Sequence, residues 1–495
     1  MNATLSRPGA PAQLMPAAGR LAGFRQELYR CLTSRRDGLF GLADAVLCCG
    51  GRVTDLARLS LVPEAGRGHG GVYDAVSAGR ADVGRLRRAL AGLPLPAWPD
   101  GRIRLAVDVS SWLRPDAATS PGRVHCHVRG RASRAWIAPG WPYSFVAALS
   151  PGRSSWALLL DAVRLGPGDD ERAVTAAQLR EVVTRLIAAG HWRDGDPPVL
   201  VTMDAHYSPV QLAWLLRDLP VTIVARVRSD RVFRAPPPPR ALGTRGRPPR
   251  HGPPVRCADP ATWGSPGTDA EAPSARYGLL RVLAWPRLHQ AVHRRAGDWA
   301  GWPALKELPV IEGTLTRLAA DRPAPGQRRL EPMWIWASDP AAGSDEAATA
   351  TLWQSYLRRF DLEHVFRFLK VQLGWDKPAL RDPAAADRWT WLLIACHAQL
   401  HLARPLAADA RLPWQRPQGP GQPETITPAR VRAGFRGARH AVGTPASAAK
   451  TSRPGPGRPK GSKNKHKAPR HPVRKRPGKT RKPADKPPKV TKQTG

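Results

Sequence analysis

Apolar residues recur every three or four positions from Phe24 to Leu32 and again from Val83 to Leu90, a spacing that predicts helices. These helices make an amino-terminal module over residues 1–100, closed by Pro94, Pro96 and Pro99. From residue 101 the apolar positions form short strand-like runs, and Ile103 to Val109, Arg123 to Arg129 and Trp156 to Val163 read as three strands. Asp169-Asp170-Glu171 then opens a helix carrying Val174, Leu179, Val182, Val183, Leu186 and Ile187. Val199 to Met203 is a fourth strand, Pro209 to Leu219 a short helix and Val221 to Val227 a fifth strand.

Three strands, helix, strand, helix, strand is the order of a ribonuclease-H-like core, so the expected fold class is α/β, a mixed sheet flanked by helices. Residues 101–233 form its first part. A Pro-rich and β-rich insertion over 234–340 interrupts it, with Pro236 to Pro239 near its start and short strands at Tyr277 to Ala284 and Met333 to Ala337. Helical patterning returns at 349–371 and 384–404, so residues 341–410 complete the core. An extension covers 411–445, and 446–495 is a basic tail. From 441 to the end there are 17 Lys and Arg against one acid, Asp485, so this segment cannot bury a core and is expected to be disordered.

Charge narrows the partner. The chain has 77 Lys and Arg against 39 Asp and Glu, a formal charge of +38, which calls for a polyanion. No stretch reaches the roughly 20 apolar residues of a spanning helix, and the best run, Trp389 to Leu402, is broken by His397 and His401. No export signal opens the chain, so a cytoplasmic, nucleoid-associated location is expected. Six cysteines without a C-x-x-C pair argue against a disulfide framework and a zinc ribbon. In His125-Cys126-His127, strand alternation sends the histidines to one face and the cysteine to the other, which leaves a plain strand.

Against this basic background three acids stand out. Asp108 ends the apolar run Leu105-Ala106-Val107, Asp204 ends Val199 to Met203, and Glu363 sits inside the 349–371 helix. An acid beside a buried apolar run binds something or caps something. Asp204 could cap the following helix and Asp108 could pair with a buried arginine; equally, carboxylates from three separate elements supply the hard oxygen ligands that two-cation phosphodiester chemistry needs. At roughly 100° per residue, Tyr356, Arg359, Glu363 and Lys370 fall within about 60° of one helix face. Leu362, Val365, Phe366 and Leu369 form the neighbouring core side.

Tyr356-x2-Arg359-x3-Glu363-x6-Lys370 matches all four positions of the signature of the Y-R-E-K branch of bacterial DDE insertion-sequence transposases, and the chain resembles that branch over roughly residues 100–410. Asp204-Ala205-His206-Tyr207 is similar to the branch's second block and Asp108-Val109-Ser110, less distinctively, to its first. The resemblance implies that Asp108, Asp204 and Glu363 bind two Mg2+ ions, with Mn2+ as a substitute, while Tyr356, Arg359 and Lys370 hold phosphates of the cleaved end. It implies hydrolysis at the element's ends, transfer of the freed 3′-hydroxyl to target DNA, and a homodimer joining two double-stranded ends. Some members stack an aromatic ring on a flipped base, for which Trp285, Trp299 and Trp302 are the residues to consider.

Two further segments bear on DNA. Pro456 to Lys463 resembles an AT-hook, with Arg458 in the minor groove and Lys460 and Lys463 on phosphates; Arg245-Gly246-Arg247-Pro248 is a weaker copy. Gly478-Lys479-Thr480 lacks the first glycine of a nucleotide-binding loop, where Val473 stands instead. The rival readings are a catalytically inactive or domesticated transposase that only binds DNA, and a nuclease of the same fold with other substrates.

Overall fold

The computed structural model describes residues 11–129, 135–151, 155–240, 246–274, 277–292, 308–321, 331–407, 426–448, 459–463 and 466–474. Helices α1 (Pro11–Cys31), α2 (Arg36–Cys48), α3 (Leu56–Leu59), α4 (His69–Ala78) and α5 (Val83–Ala91) open the chain, with β1 (Leu32–Ser34) paired to β2 (Arg80–Ala81). Asp55 and Asp82 cap α3 and α5 by accepting the backbone N–H groups of Arg58 and Arg85. Phe24, Leu28, Phe40, Val46, Leu86 and Leu90 share one apolar cluster with the sheet and the late helices.

The core strands are β3 (Arg104–Leu113), β4 (Val124–Arg129), β5 (Ala135–Leu149) and β6 (Ala157–Arg164), followed by α6 (Glu171–Ala188), β7 (Val199–Met203), α7 (Pro209–Leu215) and β8 (Val221–Val227). After the small ribbon of β9 (Val232–Arg234) and β10 (Pro254–Arg256) come β11 (Thr268–Ser274), β12 (Gly278–Leu288), β13 (Gly313–Ala320) and β14 (Met333–Ala337). Ten of these strands form one mixed sheet of order β11-β12-β13-β14-β8-β7-β3-β5-β4, with β6 also paired to β5. Strands β3, β7 and β8 run parallel at its centre. All five residues of β7 are buried, as a parallel strand covered on both faces requires. The inserted strands β11 to β14 extend the same sheet in antiparallel fashion from β8.

Strand β5 is absent from the sequence reading, because Pro139 and Pro142 lie within it. The structure shows how it tolerates the second. One flank of β5 pairs β4 over Ala135 to Gly140 and β6 over Tyr143 to Leu149, so Pro142 falls in the gap between the two partners.

The expected single helix over 349–371 is two helices, α8 (Glu346–Arg358) and α9 (Phe360–Val371). The Arg359 N–H bonds the carbonyl of Tyr356, three residues back, so the chain tightens there. Each helix answers a different apolar patch. Leu352, Trp353 and Tyr356 pack with Leu200, Val224 and Ile335, whereas Leu362, Val365, Phe366 and Leu369 join the larger cluster containing Phe145 and Trp375. Helix α10 (Pro383–Ala403) follows, as its apolar pattern predicts, and α11 (Pro428–Val442) is an additional helix in the extension.

Within the tail, residues 471–474 lie beside the segment that leads into β4 and reach the strand at its first residues. The His471 N–H donates to the Ala118 carbonyl (2.9 Å), the Arg474 N–H to that of Arg123 (3.2 Å) and the His125 N–H to that of Arg474 (3.2 Å).

Candidate active site

The three acids come from three elements that the topology aligns. Ala106 of β3 is level with Thr202 of the parallel neighbour β7, so two residues on, Asp108 and Asp204 stand at the same height. Phe145, paired directly with Asp108, packs its ring 5.2 Å from that of Phe366, which fixes α9 over the same face of the sheet. Glu363 therefore enters from above, and the sheet supplies the two aspartates from below.

Arg359, at the break between α8 and α9, joins two of the acids. Its Nη1 donates to Asp108 Oδ2 at 2.6 Å and its Nη2 to Glu363 Oε1 at 3.3 Å. Burial pushes the Asp108 carboxyl up to about 6 even with Arg359 beside it, and the Asp204 and Glu363 carboxylates push the same way. Burial also works against the charge of Arg359, yet Asp108 and its neighbours hold that pKa above the ordinary value. Desolvation raises the Tyr356 phenol to about 12. The guanidinium of Arg359 lies 6.0 Å from the centre of that ring.

Asp204 does not cap α7. That helix has Ser208 at its N-cap, and the Asp204 backbone instead makes a turn to the Tyr207 N–H (3.2 Å). Tyr207 is buried, with its phenol raised well above the usual range by burial and by Asp108. Its hydroxyl finds no hydrogen-bond partner among the described residues. An orphan buried hydroxyl between acids is a place for water or for a hydrated ion, and in this respect the residues suit a divalent cation. The donor set suits one as well, being hard carboxylate oxygen. Among the described residues, however, no three His, Cys, Asp or Glu stand close enough to form a ready metal-binding group.

Lys370 lies farther along α9, where its ammonium donates to the Ser111 carbonyl (3.2 Å) and stands 5.4 Å from the centre of the Trp375 ring. Burial lowers its pKa. The four signature residues thus span two helices, and their single-face arrangement gives way to a gathering of Tyr356, Arg359 and Glu363 with Lys370 docked on β3. Of the tail residues, Lys460 and Lys463 are exposed and Arg458 lies outside the described residues. Trp285 is buried, stacked on Trp334 (5.8 Å) and edge-on to Trp263 (5.7 Å), while Trp299 and Trp302 lie outside the described residues.

Two features escaped the sequence reading. Asp161 on β6 is a fully buried acid, but Arg87 (3.0 Å), Arg185 and Gln178 answer it, so it is a structural charge. A cavity of about 800 Å³ opens beside Asp204 and is lined by Arg226, Arg228, Trp263, Arg317 and Trp334. Alternation along β8 signalled none of this, because the cavity is made by β13, β14 and the β10–β11 connection folding back onto β8.

The sequence pattern of the family described as DDE superfamily endonuclease matches residues 27–291, more than half of the chain. The chain belongs to this family. It is accordingly a transposase-like nuclease, and DNA is the substrate that the family implies. The matched span contains Asp108 and Asp204 and ends before Glu363, which reaches the pair only through the fold. No protein among the curated sequences compared with the chain is similar enough to count as a match. No described helix is long and apolar enough to cross a membrane.

Proposed function

We propose that this protein is a DNA transposase that cleaves phosphodiester bonds at the ends of an insertion sequence of the Y-R-E-K branch and joins the freed 3′-hydroxyls to target DNA. The observation that carries this reading is the Asp108–Arg359–Glu363 contact. It ties an acid outside the matched span to the acid-bearing centre of the sheet, through an arginine of the signature. Asp108, Asp204 and Glu363 would hold the divalent ions. When bound, such ions supply a hydroxyl nucleophile and neutralise charge on the leaving oxygen.

The chain's own residues do the rest. Arg359 carries a planar fork matched to phosphate oxygens, and its pairing with two carboxylates holds that fork at the reacting centre before DNA arrives. Tyr356 stays protonated at neutral pH, so its hydroxyl is available to donate to a phosphate. Lys370 steadies α9 against β3 and adds positive charge behind the site. The tail binds double-stranded DNA, and two copies of the chain bring two ends together.

The test is a strand-transfer reaction with purified protein, linear DNA bearing the element's ends, a target plasmid and Mg2+. The expected products are ends covalently joined to the plasmid through their 3′-hydroxyls. Nicked ends without joined products would leave a nuclease and overturn transposition.

A further inference from the structure

Strand β4 closes one side of the ten-stranded sheet, and an edge strand presents unpaired N–H and C=O groups that invite another chain. Here the tail meets that invitation. Besides the three backbone bonds of residues 471 and 474, the buried Arg123 side chain reaches out to the His471 carbonyl (3.1 Å) while bonding Ser120 and Arg114 carbonyls (both 3.1 Å) within the core. Val124 and Arg474 form a parallel bridge, so the tail meets the start of β4 in the manner of an added strand at that one position. His471 and Val473 are partly covered, whereas Lys467, Arg470 and Arg474 face solvent together with Lys460 and Lys463.

The seat has a definite relation to the acids. Val124 is level with Gly140 of β5, and Gly140 with Leu113 of β3, five residues past Asp108 in the direction of the end that carries Asp204. At about 3.4 Å per residue along the strand and about 4.8 Å per strand across, Arg474 lies about 22 Å from Asp108. That is about six base pairs of duplex, at 3.4 Å each.

We propose that residues 466–474 are a docked strap, which caps the start of β4 and holds the exposed Lys467, Arg470 and Arg474 as a phosphate-binding strip for the DNA flanking the scissile site. The DNA partner rests on the proposed function; the docking does not. A free tail would search for phosphates from any direction, whereas the strap presents its charges at one distance from the acids. Holding the charges in place raises their effective concentration at the DNA and selects one orientation of the duplex.

The experiment uses the full-length chain and the double variant His471→Pro with Arg474→Pro, which removes two backbone donors in the tail and touches nothing in the core. His471→Ala with Arg474→Ala serves as the control, since it loses the same side-chain charge and keeps both N–H groups. Amide exchange at His125, read by NMR or mass spectrometry, is expected to be at least about tenfold faster in the proline variant than in the other two. DNA affinity should fall about tenfold in the proline variant beyond any loss in the alanine control, with a shallower salt dependence. Equal exchange in all three proteins overturns the docking. Faster exchange with DNA affinity equal to that of the alanine control overturns the orienting role and leaves an edge cap. Absence of DNA binding by every form, with the exchange difference present, overturns the proposed function and retains the strap.

Discussion

At the scale of single residues, Asp108 is where function and stability pull apart. Its side chain is about one-fifth exposed, and its carboxyl is raised from 3.8 to about 6 by burial. As pH rises from 4 to 6 the unfolded chain gives up this proton before the folded chain does, so the folded state loses stability across that window and stays lower above it. A shift of about two pKa units corresponds to about 3 kcal/mol, an upper bound for a group that water still reaches. Asp108→Asn removes the titration. Relative to wild type, the variant should gain about 1–3 kcal/mol on going from pH 4 to pH 7, measured by urea unfolding, while losing cleavage. An offset independent of pH would contradict the raised carboxyl. The acids stand out in the sequence, since Asp108 and Asp204 end apolar runs, and a buried arginine beside Asp108 is one of the readings the sequence offers. Which arginine it is does not stand out, because no sequence spacing reveals a contact between residues 251 positions apart.

At the scale of elements, strands β7, β8 and β14 and helix α6 follow directly from their apolar patterns. The errors have a common cause, which is that packing partners outweigh local pattern. Prolines hide β5 because only the gap between β4 and β6 explains Pro142, and the break at Arg359 arises because α8 and α9 serve different apolar patches. The seating of α9 depends on the turn after it. Gly374 has φ +67°, and a Cβ there would meet the Val53 carbonyl oxygen at 2.5 Å, beside the bond from the Val53 N–H to the Gln372 carbonyl (3.1 Å). Gly374→Ala should therefore cost about 2–4 kcal/mol in chemical denaturation and lower cleavage by displacing Glu363. A stability within about 0.5 kcal/mol of wild type would show that the turn relaxes freely.

At the scale of the whole molecule, the amino-terminal helices are built into the catalytic fold. Arg25 of α1 bonds Asp44 of α2 at 2.7 and 3.0 Å, Gln399 of α10 at 2.7 Å and the Gly443 carbonyl at 3.2 Å, while Arg439 of α11 adds a second cation to Asp44 at 2.7 Å. Not all basic residues of these helices are free to meet a partner, since Arg25 and Arg87 are spent on buried acids. Breaking a buried pair from one side leaves an uncompensated charge, so Arg25→Ala should cost about 3–5 kcal/mol. Calorimetry should show residues 11–91 melting together with the sheet in that variant and in wild type; a separate early transition for the helices would contradict the shared core. The central claim is that acids from β3, the end of β7 and α9 act as one site on DNA. It is tested most directly by divalent-ion-dependent cleavage of end-bearing DNA by wild type and by Asp108→Asn, Asp204→Asn and Glu363→Gln singly. Each variant should bind DNA and cleave at least about 100-fold more slowly than wild type; cleavage by Glu363→Gln at the wild-type rate would contradict the account.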